Sequence, residues 1–381
     1  MNHYTASNGL SSNIVRCIFQ DSRGFIWAGT EGGGLNKFDG YRFTIYDYRS
    51  DNPHSLSNSQ VYAMAEDHEG NIWVGTHNGL NKLDVKTGRF QRYFNDPLHA
   101  NSLKSNRVSA LYVDKDNVLW IGTFLGLQKL DIQKNRFTDY SAKMTNQDGR
   151  PEKTVNAIVE DSKGNLWLGV WWGGLKKFSK ATGVFTDYYA DPKNPDGLLN
   201  NNVLSLCIDL SENLWIGNHT GGLRKFSIHS GQFLPLKKPE KNVSIWSICM
   251  DGDGRICYTR AGIGFVNTSS NHFETLDYSK DEPEGISSGY HYAVFTDRAG
   301  MLWLGSTEGL SFYSPLNKRF ASYLKLIDTR KRYYITTFYK RPGKQEIWFG
   351  TFGNGIIRLN ENTGKTLRIY YGNNDDQSLP D

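Results

Sequence analysis

One short signature recurs along the chain and constrains what it can fold into. Ile-Trp-Ala-Gly-Thr at 26–30 returns as Ile-Trp-Val-Gly-Thr at 72–76, Leu-Trp-Ile-Gly-Thr at 119–123 and Leu-Trp-Leu-Gly-Val at 166–170. It returns again as Leu-Trp-Ile-Gly-Asn at 214–218, Leu-Trp-Leu-Gly-Ser at 302–306 and Ile-Trp-Phe-Gly-Thr at 347–351. The tryptophans Trp27, Trp73, Trp120, Trp167, Trp215, Trp303 and Trp348 are separated by 46, 47, 47, 48, 88 and 45 residues. The gap of 88 spans a degenerate copy, Arg-Ile-Cys-Tyr-Thr at 255–259, with Cys257 in the Trp position. The 381 residues therefore hold eight units of about 47. A period of ~40–50 residues with four short strands per unit means an all-β fold, a β-propeller of four-stranded antiparallel blades.

Each unit reads as strands A to D. Strand A is an apolar run ending in an acid, as in Val61 to Asp67. An Asp-x-x-Gly turn follows (Asp21/Gly24, Asp67/Gly70, Asp161/Gly164, Asp297/Gly300), where Asp bonds its own downstream backbone and Gly accepts positive φ. Strand B is the Trp-x-Gly run, and a Gly-rich turn leads to strand C, Leu-x-Lys-Phe/Leu. A Thr-Gly turn (Thr87-Gly88, Thr182-Gly183, Thr363-Gly364) precedes strand D, Phe-x-x-Tyr, at Phe43/Tyr46, Phe90/Tyr93, Phe137/Tyr140, Phe185/Tyr188 and Phe320/Tyr323. Met1 to Tyr4 falls on a strand-D position, so this leading strand is expected to complete a terminal blade.

Composition agrees. Gly is 39 residues and Pro only 11, and 13% of residues are aromatic, which argues against a collagenous or disordered chain. The net charge of +5 is mild, so no nucleic-acid partner is expected. No apolar run reaches the length of a membrane span, and the N-terminus lacks the charged and apolar regions of a signal peptide. Cys17, Cys207, Cys249 and Cys257 are too few and too scattered for a disulfide framework or a CxxC metal site.

Asp-x-x-Gly-x-Ile/Leu-Trp-x-Gly-Thr-x-x-Gly-Leu-x-Lys-Leu/Phe-Asp, preceded by Leu-Ser-x-Asn-x-Val, resembles the two-component regulator propeller repeat. That family supplies the periplasmic sensor halves of bacterial hybrid two-component histidine kinases, typical of Bacteroidetes. The resemblance implies a seven-bladed propeller over 1–335, with 336–381 as an eighth repeat opening a second propeller; an eight-bladed ring is the alternative. It also implies an extracytoplasmic sensor of an inner-membrane receptor, a homodimer in the full-length protein, and a C-terminal kinase outside this chain. The chain itself is then not an enzyme. The departures are the sixth repeat at 251–266, Pro342–Glu346 in place of the Asp-x-x-Gly turn, and the lack of a kinase, receiver or membrane segment.

Alternating strands place the D-to-A links and B-to-C turns on one face. That face varies between repeats, as a binding face does. Its B-to-C turns offer Glu31, His77, Phe124, Trp171, Trp172, His219, Arg260, Glu308 and Phe352. The strand-A starts offer Arg16, Tyr62, Arg107, Trp246 and Tyr292. Aromatic platforms with charged hydrogen-bonding groups suit an oligosaccharide, and Arg16, Arg107 and Arg260 favour an anionic one.

Other readings stand beside this one. The periodic tryptophans are expected to be core. His77 and His219 lack metal-ligand spacing, and no metal or cofactor is expected. Asp251-Gly-Asp253-Gly starts like a calcium loop but lies at a standard turn. Cys249 and Cys257 are expected to face each other, with free thiols favoured over a disulfide. Lys237-Lys238 and Arg330-Lys331-Arg332 read as solvated charge. A propeller glycosidase or lyase would use Glu31, Glu308, His219 or His291 at the axis, and a protein-interaction scaffold is a further alternative.

Overall fold

The computed structural model describes residues 2–144, 153–194, 196–236, 242–277, 286, 289–313, 335–352, 355–360 and 366–369. The strand D expected at Phe320/Tyr323, the Thr363-Gly364 turn and the basic runs at Lys237-Lys238 and Arg330-Lys331-Arg332 lie outside these. The chain forms two compact units, 1–315 and 316–381. Residues 314–334, beside the expected boundary at 335/336, also lie outside the described residues.

The first unit holds seven four-stranded antiparallel sheets, each a meander of neighbouring strands. Blade 1 is typical: strand A Val15–Gln20, B Ile26–Thr30, C Leu35–Phe38 and D Phe43–Tyr46. Blade 7 takes strands A to C from His291–Thr296, Leu302–Ser306 and Leu310–Tyr313. Its fourth strand is the chain's leading segment, Asn2–Tyr4, paired antiparallel so that His3 lies opposite Ser311. His3 Nδ1 lies 2.8 Å from Ser311 Oγ, and the Tyr4 ring packs on Phe38, Phe43 and Phe312. Strand A of blade 7 packs against strand A of blade 1, so the ring of inner strands is closed at seven.

Within a blade the turn aspartate organises the tryptophan. One oxygen of Asp21 accepts the backbone N–H groups of Arg23 and Phe25, and the other accepts Trp27 Nε1–H. The same indole-to-carboxylate bond recurs for Trp73–Asp67, Trp120–Asp114, Trp167–Asp161, Trp215–Asp209 and Trp303–Asp297, at 2.8–3.0 Å. These tryptophans are buried, as expected for core. In blades 1 to 4 each lies against the strand-D tyrosine of its own blade, as Trp27 does with Tyr46 at 5.9 Å. In blade 6 the indole is missing, and Asp251 accepts from Arg255 Nε at 2.8 Å instead.

Between blades the Trp-x-Gly glycine provides the close approach. A Cβ at Gly29, Gly75, Gly122, Gly169, Gly217 or Gly305 would come within 2.6–2.9 Å of the side chain of Val61, Val108, Val155, Val203, Ile245 or Val15 on the next blade. One seam breaks this pattern. Thr259 holds the glycine position of blade 6, and His291 holds the valine position of blade 7. The buried cluster there contains Cys257, Ile263, Ile286, Val294, Leu302 and Leu304, with no tryptophan. Cys249 and Cys257 do lie directly opposite each other in the register, and both are free thiols. Their hydrogen bond, with burial added, pushes the Cys257 thiol well above its usual range.

The second unit contains one sheet, Ile335–Lys340, Glu346–Thr351, Ile356–Asn360 and Thr366–Ile369. Ile357 and Leu359 are buried, whereas Phe338 and Tyr339 are exposed.

The clamped carboxylates give a pH signature. Burial pushes the Asp114 carboxyl up, but hydrogen bonds from Trp120, the Val118 N–H and Lys180 outweigh it, leaving the pKa below its ordinary value. Burial of Asp161 is likewise outweighed by bonds from Asn165 and Trp167. A depressed folded-state pKa stabilises above the unfolded value, about 3.9, and that stability is lost as pH falls through the lower folded value. Thermal melts should hold steady near neutrality and fall steeply below about pH 4. Asp161→Asn should reduce that acid-dependent loss; an unchanged pH profile would contradict the assignment.

Candidate functional site

Backbone bonds gather the variable turns beside the inner strands. The N–H groups of Glu31, His77, Phe124, Trp171, His219 and Thr307 donate to the carbonyls of Ile14, Gln60, Arg107, Thr154, Asn202 and Tyr290, at 2.9–3.1 Å. Each B-to-C turn is thereby tied to the start of strand A in its own blade, as the propeller geometry requires.

The side chains then form two chains of contacts around the mouth. One runs from Trp172 to Trp171 (6.1 Å between ring centres), on to His219 (5.2 Å), Trp246 (6.3 Å) and Tyr292 (5.7 Å). The Arg16 guanidinium lies over the Tyr292 ring at 4.0 Å and bonds Glu31 Oε2 through Nε and Nη2. The other contains Tyr62 near His77 at 6.3 Å, with the Arg107 guanidinium over Tyr62 at 5.8 Å and Phe124 at 5.1 Å.

Two cavities open among these groups. The axial one, about 330 Å³, is lined by Arg16, Tyr62, Arg107, Trp246 and Tyr292, with Ser109, Thr154, Asn156 and Leu204. The larger one, about 770 Å³, lies over blades 5 to 7. Its lining includes His219, Trp246, Arg260, Tyr290, His291 and Tyr292, with Asn242 and Ser244 beside them. Trp246 and Tyr292 belong to both. Of the residues expected to bind, seven line these cavities. His77, Phe124, Trp171 and Trp172 join them through ring contacts, and Glu31 joins through Arg16. Glu308 lines neither cavity. Phe352 belongs to the second unit, where it is exposed.

The charge at this mouth is more balanced than three arginines suggest. Arg16 is paired with Glu31 at 2.5 Å, and Arg260 with Asp277 at 2.7 Å. Among the described residues no carboxylate pairs with Arg107. Trp172 has φ +60°, a left-handed backbone that blade 1 gives to Gly32 at φ +86°. A bulky residue there is strained, and such strain concentrates at functional sites.

His291 enters the sequence reading only as an axial catalytic candidate, yet its environment is unusual. It is 1% exposed, and neither ring nitrogen has a hydrogen-bond partner among the described residues. Burial lowers its pKa, while the nearby Arg260 backbone works weakly the other way, so the imidazole is neutral at neutral pH. Aligning strand-A starts gives Val15, Val61, Val108, Val155, Val203, Ile245 and then His291. The single polar member is visible in that column.

Known proteins share both the repeat and the ring. Residues 9–32, 55–78, 102–124 and 149–172 match the two component regulator propeller repeat. The chain belongs to that family. The extracellular domain of a hybrid two component system from B. thetaiotaomicron is 26% identical with a TM-score of 0.72, over 97% of this chain and 49% of that one. A second extracellular domain from the same organism is 22% identical with a TM-score of 0.67, over 99% and 48%. Histidine kinase P4 of Formosa agariphila is 30% identical over 129 residues, which is 33% of this chain and 9% of that protein. The chain thus spans about half the length of the solved receptor domains. Virginiamycin B lyase from Staphylococcus aureus shares the fold at 14% identity and a TM-score of 0.63, over 81% of this chain and 96% of the lyase.

His291→Val would give blade 7 the residue of blades 1 to 5. Removing two buried, unpaired nitrogens should raise stability by roughly 1–3 kcal/mol. Denaturant unfolding measures this, and a clear loss of stability would mean that those nitrogens are satisfied in solution.

Proposed function

We propose that this chain is the extracytoplasmic, ligand-sensing propeller of a two-component sensor, and that it binds an oligosaccharide at the mouth described above. The observation that carries this reading is the run of rings from Trp171 through His219 and Trp246 to Tyr292, beside the two cavities. Sugar rings present C–H faces that pack on aromatic rings and hydroxyls that need polar partners. Arg107, which has no carboxylate partner among the described residues, is the group best placed to receive an acidic substituent. Binding would favour one of two receptor conformations by differential affinity, and a kinase beyond this chain would read the shift. A homodimer of the whole receptor and a periplasmic location belong to the same reading.

The eighth sheet is read as the first blade of a second propeller. Its exposed Phe338 and Tyr339 lie on the strand that in the first unit is packed between neighbouring inner strands. Solved relatives of about twice this length support that reading.

Calorimetry or a glycan array with the purified chain tests the function. A saccharide ligand should be found, and Trp246→Ala should weaken its binding by about tenfold, or ~1.4 kcal/mol. Capture of a protein partner with no saccharide bound would overturn the reading.

A further inference from the structure

The seam between blades 6 and 7 carries three coordinated departures from the repeat. Cys257 replaces the tryptophan, Thr259 the glycine and His291 the valine. Thr259 is put to structural use: its Oγ1 accepts the N–H groups of Trp246 and Ser247, at 3.0 and 3.1 Å. His291 has no such use. It is buried, its ring nitrogens are unpartnered among the described residues, and it lines the 770 Å³ cavity. A buried polar group without a partner is costly, and a position that is apolar in every other blade of the ring offers a less costly choice.

We propose that this seam is a monosaccharide subsite, in which the two ring nitrogens of His291 bond adjacent hydroxyls of an uncharged pyranose packed among Trp246, Tyr290 and Tyr292. The subsite rests on the oligosaccharide reading above and adds to it a location and the ligand's charge. A neutral imidazole has one N–H donor and one bare nitrogen acceptor. Two neighbouring hydroxyls supply the matching acceptor and donor, whereas a carboxylate, having no proton, satisfies only one side. The cavity's arginine does not reverse this preference. Arg260 is paired with Asp277, and the lining contains no carboxylate. A carboxylate brought here would lose its hydration without gaining an uncompensated cation. Arg107, the guanidinium with no carboxylate partner among the described residues, lines the axial cavity instead.

The test uses the full chain with the methyl glycosides of glucose, galactose and mannose, and with glucuronate and galacturonate. Saturation-transfer NMR and calorimetry measure binding, and the His291 ring nitrogens are followed by ¹⁵N NMR. At least one neutral glycoside should bind and shift the His291 signals. The uronates should bind about tenfold more weakly, and His291→Val, checked by its melting transition, should lose at least about tenfold in affinity. Unchanged affinity in His291→Val, or preference for the uronates, would overturn the proposal. Neutral-sugar binding that survives His291→Val but is lost in Tyr62→Ala would overturn this subsite and leave the oligosaccharide reading intact. Absence of any saccharide binding would remove both.

Discussion

A buried carboxylate holds each regular blade together. The turn aspartate bonds its own turn with one oxygen and the strand-B indole with the other, fixing the turn and the largest core side chain at once. The indole then fills the space between blades, and the glycine two residues later lets the next inner strand approach. These features are coupled. Without the carboxylate the buried indole N–H has no acceptor, and without the glycine the neighbouring valine meets a Cβ well inside contact distance. Repeating the unit closes the ring, with the leading strand completing blade 7.

Because six seams follow this rule, the seventh is informative. A remodelled seam could simply have been repacked with apolar groups. Here a threonine is absorbed into backbone bonding, and a histidine is left facing a cavity. The face on which this happens is also the one where turns vary, where rings approach in sequence and where Trp172 holds a strained backbone. The opposite face is uniform, with its aspartates committed to architecture. Structural regularity on one side and departures on the other are what a sensing propeller requires.

Much of this is legible in the sequence. The period, the turn chemistry and the burial of the tryptophans follow from spacing and residue type. Arg16, Tyr62, Arg107, His219, Trp246, Arg260 and Tyr292 fall at the mouth as expected, because strand direction dictates which turns share a face. Pairing is less legible. Glu31 is within reach of such reasoning, since it is tied to the same blade as Arg16. Asp277 lies at the end of strand D, 17 residues beyond Arg260, so its pairing depends on strand register. His291 escapes as a ligand group when the inner-strand starts are searched for aromatic and charged residues. The signal that finds it is a polar residue in an otherwise aliphatic column.

The most direct test is hydrogen–deuterium exchange on the full chain, with and without a mixture of neutral oligosaccharides. Added protection is expected to centre on residues 242–246, 259–262 and 289–292, with the Asp-x-x-Gly turns unchanged. Protection centred on those turns, with the blade 6–7 seam unaffected, would contradict a sensing mouth at this seam.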